Sequence, residues 1–158
     1  MEQEKYVKVL SRLQAQCARR EYCSSDIRAK ALKAMDGDDD AAERIVASLV
    51  ADRFVDDLRY ASAFAREKSA LAGWGEQKIV FMLSRKGIDR RTAAAALEEV
   101  DAVAAGRRLE SVLSAKYRLL KDDPQRRLKL LRFALGRGYC YDDVKAAVER
   151  LEDAENSL

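Results

Sequence analysis

Paired carboxylates are the side chains in this sequence whose spacing could support acid–base chemistry. They occur at Asp56-Asp57, Asp122-Asp123 and Asp142-Asp143. The chain has no histidine, which removes Ser-His and Cys-His nucleophile pairs, histidine general bases and most zinc or iron sites. Each acidic pair stands where a helix should begin, and acidic side chains belong there because they accept hydrogen bonds from free backbone N–H groups. We therefore favour helix capping over acid–base catalysis, and we expect no enzyme activity, no metal site and no cofactor.

The composition indicates a helix-rich globular chain. Its 158 residues are 48% apolar and 36% charged, with one proline and a net charge of only +3. A disordered chain would carry less apolar material. No apolar run reaches membrane-spanning length and charges interrupt the N-terminus, so we expect neither a membrane span nor a signal peptide. The three cysteines form no CxxC pair and are odd in number, which favours a reducing, cytoplasmic location.

Apolar residues recur at spacings of three and four through most of the chain, and this pattern predicts nine helices. The Asp123-Pro124 pair is a typical helix start, with a capping side chain followed by proline at the first helical position. The Gly73-Trp74-Gly75 turn should end the fourth helix, since glycine tolerates the left-handed backbone found at helix ends. The predicted helices cover 5–17, 24–35, 41–53, Asp56 to the Gly73 turn, 76–86, 90–100, 102–120, 124–136 and 141–154.

The nine helices fall into threes, which indicates an internal repeat. Gly37, Gly87 and Gly138 lie 50 and 51 residues apart, each after the second helix of its triplet. Counted from these glycines, several apolar positions of the second and third copies coincide: Ile79 with Leu130, Ile88 with Tyr139, and Leu97 with Val148. We therefore predict an all-α fold of three tandem three-helix repeats, 1–55, 56–101 and 102–158, forming an elongated, curved rod without a deep pocket. The alternative is a coincidence of glycines at helix ends.

Basic residues are concentrated in one stretch. Residues 107–137 contain ten Lys or Arg against three acidic residues, a net charge of +7, whereas 36–55 and 138–158 each carry −4. Such a stretch gives a local positive field that can bind phosphates or an acidic protein surface. On the helices at 76–86 and 124–136, the cations surround Phe81 and Phe133 and lie opposite an apolar side that includes Leu128 and Leu135. The candidate partner- or DNA-binding residues are Lys78, Arg85, Lys86, Arg126, Lys129, Arg132 and Arg137. The alternative is an ordinary solvated face.

The middle of the chain resembles the signature of the RecX regulatory proteins of bacteria. That signature has an acidic pair followed by Arg, an aromatic residue and Ala, then a Gly-aromatic-Gly turn, then a helix ending in Lys-Gly-Ile. The matching residues are Asp56-Asp57, Arg59-Tyr60-Ala61, Gly73-Trp74-Gly75 and Lys86-Gly87-Ile88. Segments 20–24, 137–139 and 142–144 resemble the corresponding parts of the first and third repeats. The first repeat departs from the family at Asp26-Ile27, where Glu-Leu is usual.

The resemblance implies a monomeric regulator that binds RecA recombinase filaments on single-stranded DNA, lodges in their helical groove, and restrains filament growth, ATP turnover, strand exchange and co-protease activity. Direct binding to single-stranded DNA would be weak and non-specific. We assign structural roles to the signature residues Asp56, Asp57, Arg59, Tyr60, Gly73, Gly75, Gly87 and Gly138, because they satisfy capping and packing rules by themselves. In this interpretation Asp56 or Asp57 caps the fourth helix and Arg59 reaches back to either carboxylate.

Two other functions fit the same sequence. Three-helix bundles with a basic helix resemble helix-turn-helix domains, so the chain could be a stand-alone DNA-binding module. It could also be a helical scaffold for a different acidic protein, which the basic stretch would serve equally well.

Overall fold

The computed structural model describes residues 1–158 and contains nine α-helices and no β-strand. The helices are α1 (Glu2–Arg19), α2 (Ser24–Ala34), α3 (Asp39–Ala51), α4 (Asp57–Ala70), α5 (Glu76–Arg85), α6 (Arg90–Leu97), α7 (Ala102–Leu119), α8 (Arg126–Gly136) and α9 (Tyr141–Asn156). The predicted all-α fold class and the order of its helices are confirmed. No helix is both long enough and apolar enough to cross a membrane.

Helix ends differ from the predicted ones where side chains cap nearby backbone groups. The carboxylate of Asp123 accepts a hydrogen bond from the backbone N–H of Gln125 at 2.8 Å. This contact keeps Pro124 and Gln125 in a turn, so α8 begins at Arg126 and not at the proline. The cap of α3 is likewise Asp38, whose side chain accepts from the N–H of Ala41, so that α3 begins before the predicted residue 41.

The chain divides into two compact units, which we name unit 1 and unit 2. Unit 1 comprises residues 1–63 and 83–96, and unit 2 comprises 64–82 and 97–158. The helices α4 and α5 each contribute residues to both units. The division of the chain into the repeats 1–55, 56–101 and 102–158 stays a prediction.

The main core of unit 1 lies between α1, α2 and α3. Val9, Leu13 and Cys17 follow one another at a spacing of four on α1, so they form a single stripe on the helix. They belong to the same buried cluster as Ile45 and Leu49 of α3. Each such fully buried aliphatic side chain contributes about 1.5–3 kcal/mol through removal of apolar surface from water.

The main core of unit 2 lies between α7, α8 and α9. Leu109, Leu113 and Tyr117 form the buried stripe of α7, again at a spacing of four. From α8 and α9 the cluster takes the residues Leu130, Ala134, Val144, Ala147 and Val148.

Repeat-equivalent positions have equivalent environments. Ile79 and Leu130 are both buried, and so are Ile88 and Tyr139. Each of the three spaced glycines has a positive φ, at +86° for Gly37, +77° for Gly87 and +93° for Gly138. The regular spacing of glycine therefore reflects one turn that recurs after the second helix of each triplet, in a conformation that L-residues rarely adopt.

Candidate partner-binding surfaces

The two carboxylates of the Asp56-Asp57 signature cap different helices. Asp56 accepts a hydrogen bond from the backbone N–H of Arg59 at 3.0 Å and so caps α4. Asp57 accepts from the backbone N–H of Ser24 at 2.7 Å and from its hydroxyl at 2.6 Å. Ser24 begins α2, so the carboxylate of Asp57 serves the N-terminus of a helix more than thirty positions earlier in the sequence.

Arg59 does not reach back to the acidic pair, which corrects the expectation from the sequence. Its guanidinium pairs with the carboxylate of Glu21 and donates to the carbonyls of Arg53 at 3.1 Å and Phe54 at 3.3 Å. The hydrogen bond to Glu21 raises the pKa of Arg59 above its ordinary value. Next to it in sequence, Tyr60 is buried, and this burial raises the pKa of its phenol.

Lys86, a candidate binding residue, is held within unit 1. Its ammonium lies 3.1 Å from the carboxylate of Asp26, and this hydrogen bond raises the pKa of Lys86. The Lys86 carbonyl accepts from the hydroxyl of Ser25 at 2.6 Å. The turn that contains Lys86 and Gly87 thus packs on the first turn of α2, and Asp26 supplies its ion pair.

A second turn packs on the first turn of α5. The N–H of Gly75 donates to the carbonyl of Arg137 at 2.8 Å, and the N–H of Gln77 donates to the carbonyl of Gly138 at 3.0 Å. A Cβ added at Gly75 would lie 2.5 Å from the Gly138 carbonyl oxygen, and one added at Gly138 would lie 2.6 Å from the Lys78 nitrogen. Only glycine permits this approach of two backbones.

The predicted basic side of α8 separates into an internal part and an exposed part. Arg126 donates to the Tyr117 carbonyl from Nε at 3.0 Å and from Nη2 at 2.7 Å, lies over the Tyr117 ring, and pairs with Glu155. Only 18% of its side chain is exposed. Arg126 therefore ties α7, α8 and α9 together, and little of it remains for a partner.

The exposed part of α8 combines leucines with cations. Leu128 and Leu135 were expected on the buried side of the helix, but they are 43% and 38% exposed. The buried side is narrower because α7 and α9 cover only one flank of α8, where Leu130 and Ala134 lie. Lys129 is exposed and pairs with Asp123, whereas Arg132 is exposed and makes no ion pair. We name Leu128, Lys129, Arg132 and Leu135 the α8 exposed face.

Aromatic rings and lysines meet around the turn that follows α4. The ammonium of Lys68 lies 5.0 Å from the centroid of Trp74 and 5.6 Å from that of Phe64. Lys78 lies 4.5 Å from the Trp74 centroid. Phe64 contacts Trp74 edge to face, with centroids 6.1 Å apart. Lys78 was expected to face solvent, but it is half-buried because its backbone packs against Gly138.

A second ring extends this arrangement. Phe133 lies between Lys116 and Arg137, whose charged groups are 5.0 and 5.1 Å from its centroid. Arg137 also donates to the carbonyl of Ala72 at 3.4 Å, next to the turn that carries Trp74. We name these residues the Trp74 cluster: Phe64, Lys68, Trp74, Lys78, Lys116, Phe133 and Arg137. All of them belong to unit 2.

Sequence reasoning found only part of the Trp74 cluster. The association of Phe133 with basic residues was expected, but Trp74 was assigned only to a turn, and Lys68 was not considered. Arg85, the remaining candidate, is exposed on α5 without an ion pair, and Phe81 on the same helix is 59% exposed.

A groove of about 610 Å³ lies within unit 2, although the sequence suggested no deep pocket. Its walls include Val100, Val103 and Leu109, together with the ion pair of Glu110 and Arg150 at 2.7 Å. No group of three or more Cys, Asp or Glu side chains is arranged to hold a metal ion.

Comparison with known proteins assigns the fold and the family. Residues 56–97 match the family model described as RecX, second three-helix domain, and residues 107–148 match that of the third three-helix domain. The chain is similar in structure to RecX from Lactobacillus salivarius, with a TM-score of 0.84 and 19% identity over 94% of this chain and 97% of that one. A second crystal structure of a regulatory protein RecX gives a TM-score of 0.83 at 21% identity, covering 94% of this chain and 73% of that one.

Curated relatives carry the same description. The regulatory protein RecX of Clostridium tetani is 30% identical over 118 residues, which are 72% of this chain and 54% of the relative. That of Pectobacterium atrosepticum is 32% identical over 104 residues, 63% of this chain and 61% of the relative. The chain thus spans about half the length of the curated relatives it matches. With two consecutive domain models covering more than half of its residues, this chain belongs to the RecX family.

Proposed function

We propose that this chain binds RecA filaments assembled on single-stranded DNA in the cytoplasm and restrains their ATP turnover and strand exchange, as a regulator without catalysis of its own. The observation that carries this proposal is the match of two consecutive three-helix domains, in order, to the RecX family. The relatives that match are described as regulatory proteins.

The α8 exposed face is the surface that we assign to the recombinase. Protein interfaces are rich in arginine and in apolar groups at their centres, and an exposed leucine pair around a cation has that composition. Lys129 is already paired with Asp123, so Arg132 is the cation available to an acidic partner. Leu128 and Leu135 flank it, since residues three and four apart share one side of a helix.

Several contacts of modest affinity are enough for one chain to bind a filament. A RecA filament repeats the same subunit, so separate domains of one chain can bind neighbouring subunits. Linking such contacts raises the overall affinity well above that of each contact alone. A single deep interface is therefore not required.

The test is the single-stranded-DNA-dependent ATP turnover of RecA, measured against increasing amounts of this protein. The parent chain should lower the turnover. The double variant Leu128→Ser/Arg132→Glu removes one apolar contact and replaces attraction by repulsion. We expect it to need about tenfold more protein for half-inhibition, which corresponds to about 1.4 kcal/mol of binding.

Lys145→Glu is the matched control. Lys145 is exposed on α9 and makes no ion pair. Its replacement by glutamate therefore changes the net charge by the same amount as Arg132→Glu does, but outside the α8 exposed face. Both variants should have melting temperatures close to that of the parent, since surface substitutions usually alter stability by about 0.5 kcal/mol or less. If the parent leaves RecA turnover unchanged, the proposed function is wrong. If the double variant inhibits as the parent does, the function stands and the α8 exposed face is not the contact.

The alternative, a stand-alone DNA-binding module, is tested by duplex binding in the absence of RecA. We expect such binding to be weak, indifferent to sequence and strongly reduced by salt, because it depends on neutralising phosphates and releasing counterions. A mobility shift that prefers one duplex sequence and survives high salt would support the alternative instead.

A further inference from the structure

We propose that the Trp74 cluster is a binding site for single-stranded DNA, in which a base stacks on Trp74 and the cluster's cations bind the flanking phosphates. The biological setting rests on the proposed function, because a filament places single-stranded DNA beside the chain. The binding itself is a property of unit 2 and needs no recombinase.

The cations of the cluster are not neutralised by acidic side chains. Lys68, Lys78, Lys116 and Arg137 stand around two aromatic rings, and none of them has a carboxylate partner within ion-pair distance. Other cations of unit 2 are either paired with carboxylates, as Arg127 and Arg150 are, or stand unpaired apart from these rings, as Arg132 and Lys145 do. Four uncompensated cations at one place create a local positive potential that attracts a phosphate backbone.

Two aromatic rings of the cluster are accessible to a nucleobase. Both Trp74 and Phe133 have cations over them and are only half-buried. A cation over an exposed ring is a weaker interaction than a nucleobase stacked on it. A base can therefore displace a lysine from the Trp74 face, and the freed ammonium then neutralises a phosphate. One weak contact between lysine and ring is thus replaced by two stronger ones, the stacked base and the ion pair of the ammonium with the phosphate.

The position of Trp74 is fixed before binding. Its backbone N–H donates to the carbonyl of Lys68 at 3.0 Å, and the next N–H, that of Gly75, donates to Arg137 at 2.8 Å. Phe64 contacts the ring edge to face. A side chain held in this way loses little conformational entropy on binding, which favours affinity.

The composition of the cluster favours nucleic acid over an acidic protein. It contains three aromatic rings and four cations, and each of these cations lies over a ring. Aromatic residues and arginine are also enriched in protein interfaces, but lysine is depleted there, and three of the four cations of the cluster are lysines. Alternating rings and cations are typical of sites that bind single strands without sequence preference.

Trp74 is the only tryptophan of the chain, so intrinsic fluorescence reports directly on this site. The protein without RecA is titrated with an oligothymidylate of about 20 nucleotides, with heparin, with polyglutamate and with an oligouridylate of equal length. We expect saturable quenching by oligothymidylate at low salt that is reversed at high salt. Heparin, a polyanion without bases, should quench far less.

A double variant in which uncharged glutamine replaces two lysines tests the cations. Lys78→Gln/Lys116→Gln removes two phosphate contacts, so the slope of log affinity against log salt should become shallower by about 1.4, and binding to labelled oligothymidylate should weaken about tenfold. Lys33→Gln/Lys145→Gln removes two exposed lysines outside the cluster, neither of which makes an ion pair, and is the matched control. Circular dichroism verifies that both variants are folded.

Four results would overturn the proposal. Oligothymidylate that binds by anisotropy without quenching Trp74 would place the contact elsewhere. Equal quenching by heparin would leave attraction by charge without stacking, and stronger binding of polyglutamate would identify an acidic protein as the ligand. Tighter binding of oligouridylate would make RNA the ligand. None of these outcomes involves RecA, so they are independent of the ATP-turnover test of the proposed function.

Discussion

Replacing Gly138 with alanine should destabilise the protein more than the same change at the equivalent glycine of the first triplet. Gly138 has a φ of +93°, and an added Cβ would lie 2.6 Å from the backbone nitrogen of Lys78. Gly37 has a similar φ of +86°, but no atom lies within 4 Å of the added Cβ. The two substitutions therefore share the backbone strain and differ in the steric contact.

The magnitudes follow from these two contributions. A left-handed conformation costs an L-residue about 1–2 kcal/mol, and the reduced freedom of the unfolded chain offsets about 0.4–1 kcal/mol of this cost. Gly37→Ala should therefore lose about 1 kcal/mol. Overpacking against backbone that cannot move adds about 1–3 kcal/mol, so Gly138→Ala should lose about 2–4 kcal/mol.

Gly75→Ala completes the comparison. Gly75 has no positive φ, but its added Cβ would lie 2.5 Å from the Gly138 carbonyl oxygen. Only the steric contribution should appear, at about 1–3 kcal/mol. In a chain of this length each kcal/mol corresponds to a Tm change of about 2–4 °C.

Urea unfolding followed by circular dichroism measures all three variants. The fluorescence of Trp74 provides a second probe that is located in unit 2, together with Gly75 and Gly138. Steric contact between the two turns is ruled out as a source of instability if Gly138→Ala loses no more stability than Gly37→Ala, or if Gly75→Ala is neutral. Either result would mean that the backbones of the two turns can separate without cost.

Two further predictions concern the acidic pairs. Asp57→Ala should lower stability by about 1–2 kcal/mol because it removes both hydrogen bonds to Ser24 at the start of α2. Asp56→Ala should lower stability by about 1 kcal/mol because α4 loses its cap. Urea midpoints equal to that of the parent would contradict both expectations. The hydrogen bond from Lys129 holds the pKa of Asp123 below its usual range. The ionised Asp123 therefore stabilises the folded protein fully above the unfolded-state pKa of about 3.9, and this contribution is lost as the pH falls through the lower folded-state pKa. Asp123→Asn should therefore flatten the acid limb of the stability profile, measured as urea midpoint against pH, and an unchanged profile would argue against this coupling.

Local pattern determined the helices but not all of their ends. The spacing of Val9, Leu13 and Cys17 predicts α1 because burial on one side of a helix requires that period. The start of α8 was predicted two residues early, at Pro124. The hydrogen bond from the Gln125 N–H to the Asp123 carboxylate decides that boundary, because it keeps Pro124 and Gln125 in a turn. Residue types alone do not show whether this turn or an earlier start of the helix is more stable.

The same distinction holds for the candidate sites. Arg126 and Arg132 both belong to the basic stretch, yet Arg126 is bound to the Tyr117 carbonyl and Glu155, and Arg132 is exposed. Their positions on α8 relative to α7 and α9 decide which of them a partner can contact. Only the packed helices reveal this difference.

The sequence by itself determined the all-α fold, the recurring glycine turn and the buried equivalents Ile79 and Leu130, because periodicity and backbone conformation are properties of neighbouring residues. The tertiary structure alone decided that Asp57 caps a distant helix and that Arg59 pairs with Glu21. It also decided that Lys116 lies over Phe133 and that Arg137 reaches the carbonyl of Ala72. These contacts join residues far apart in the chain, and the direction in which a long side chain points depends on how the helices pack.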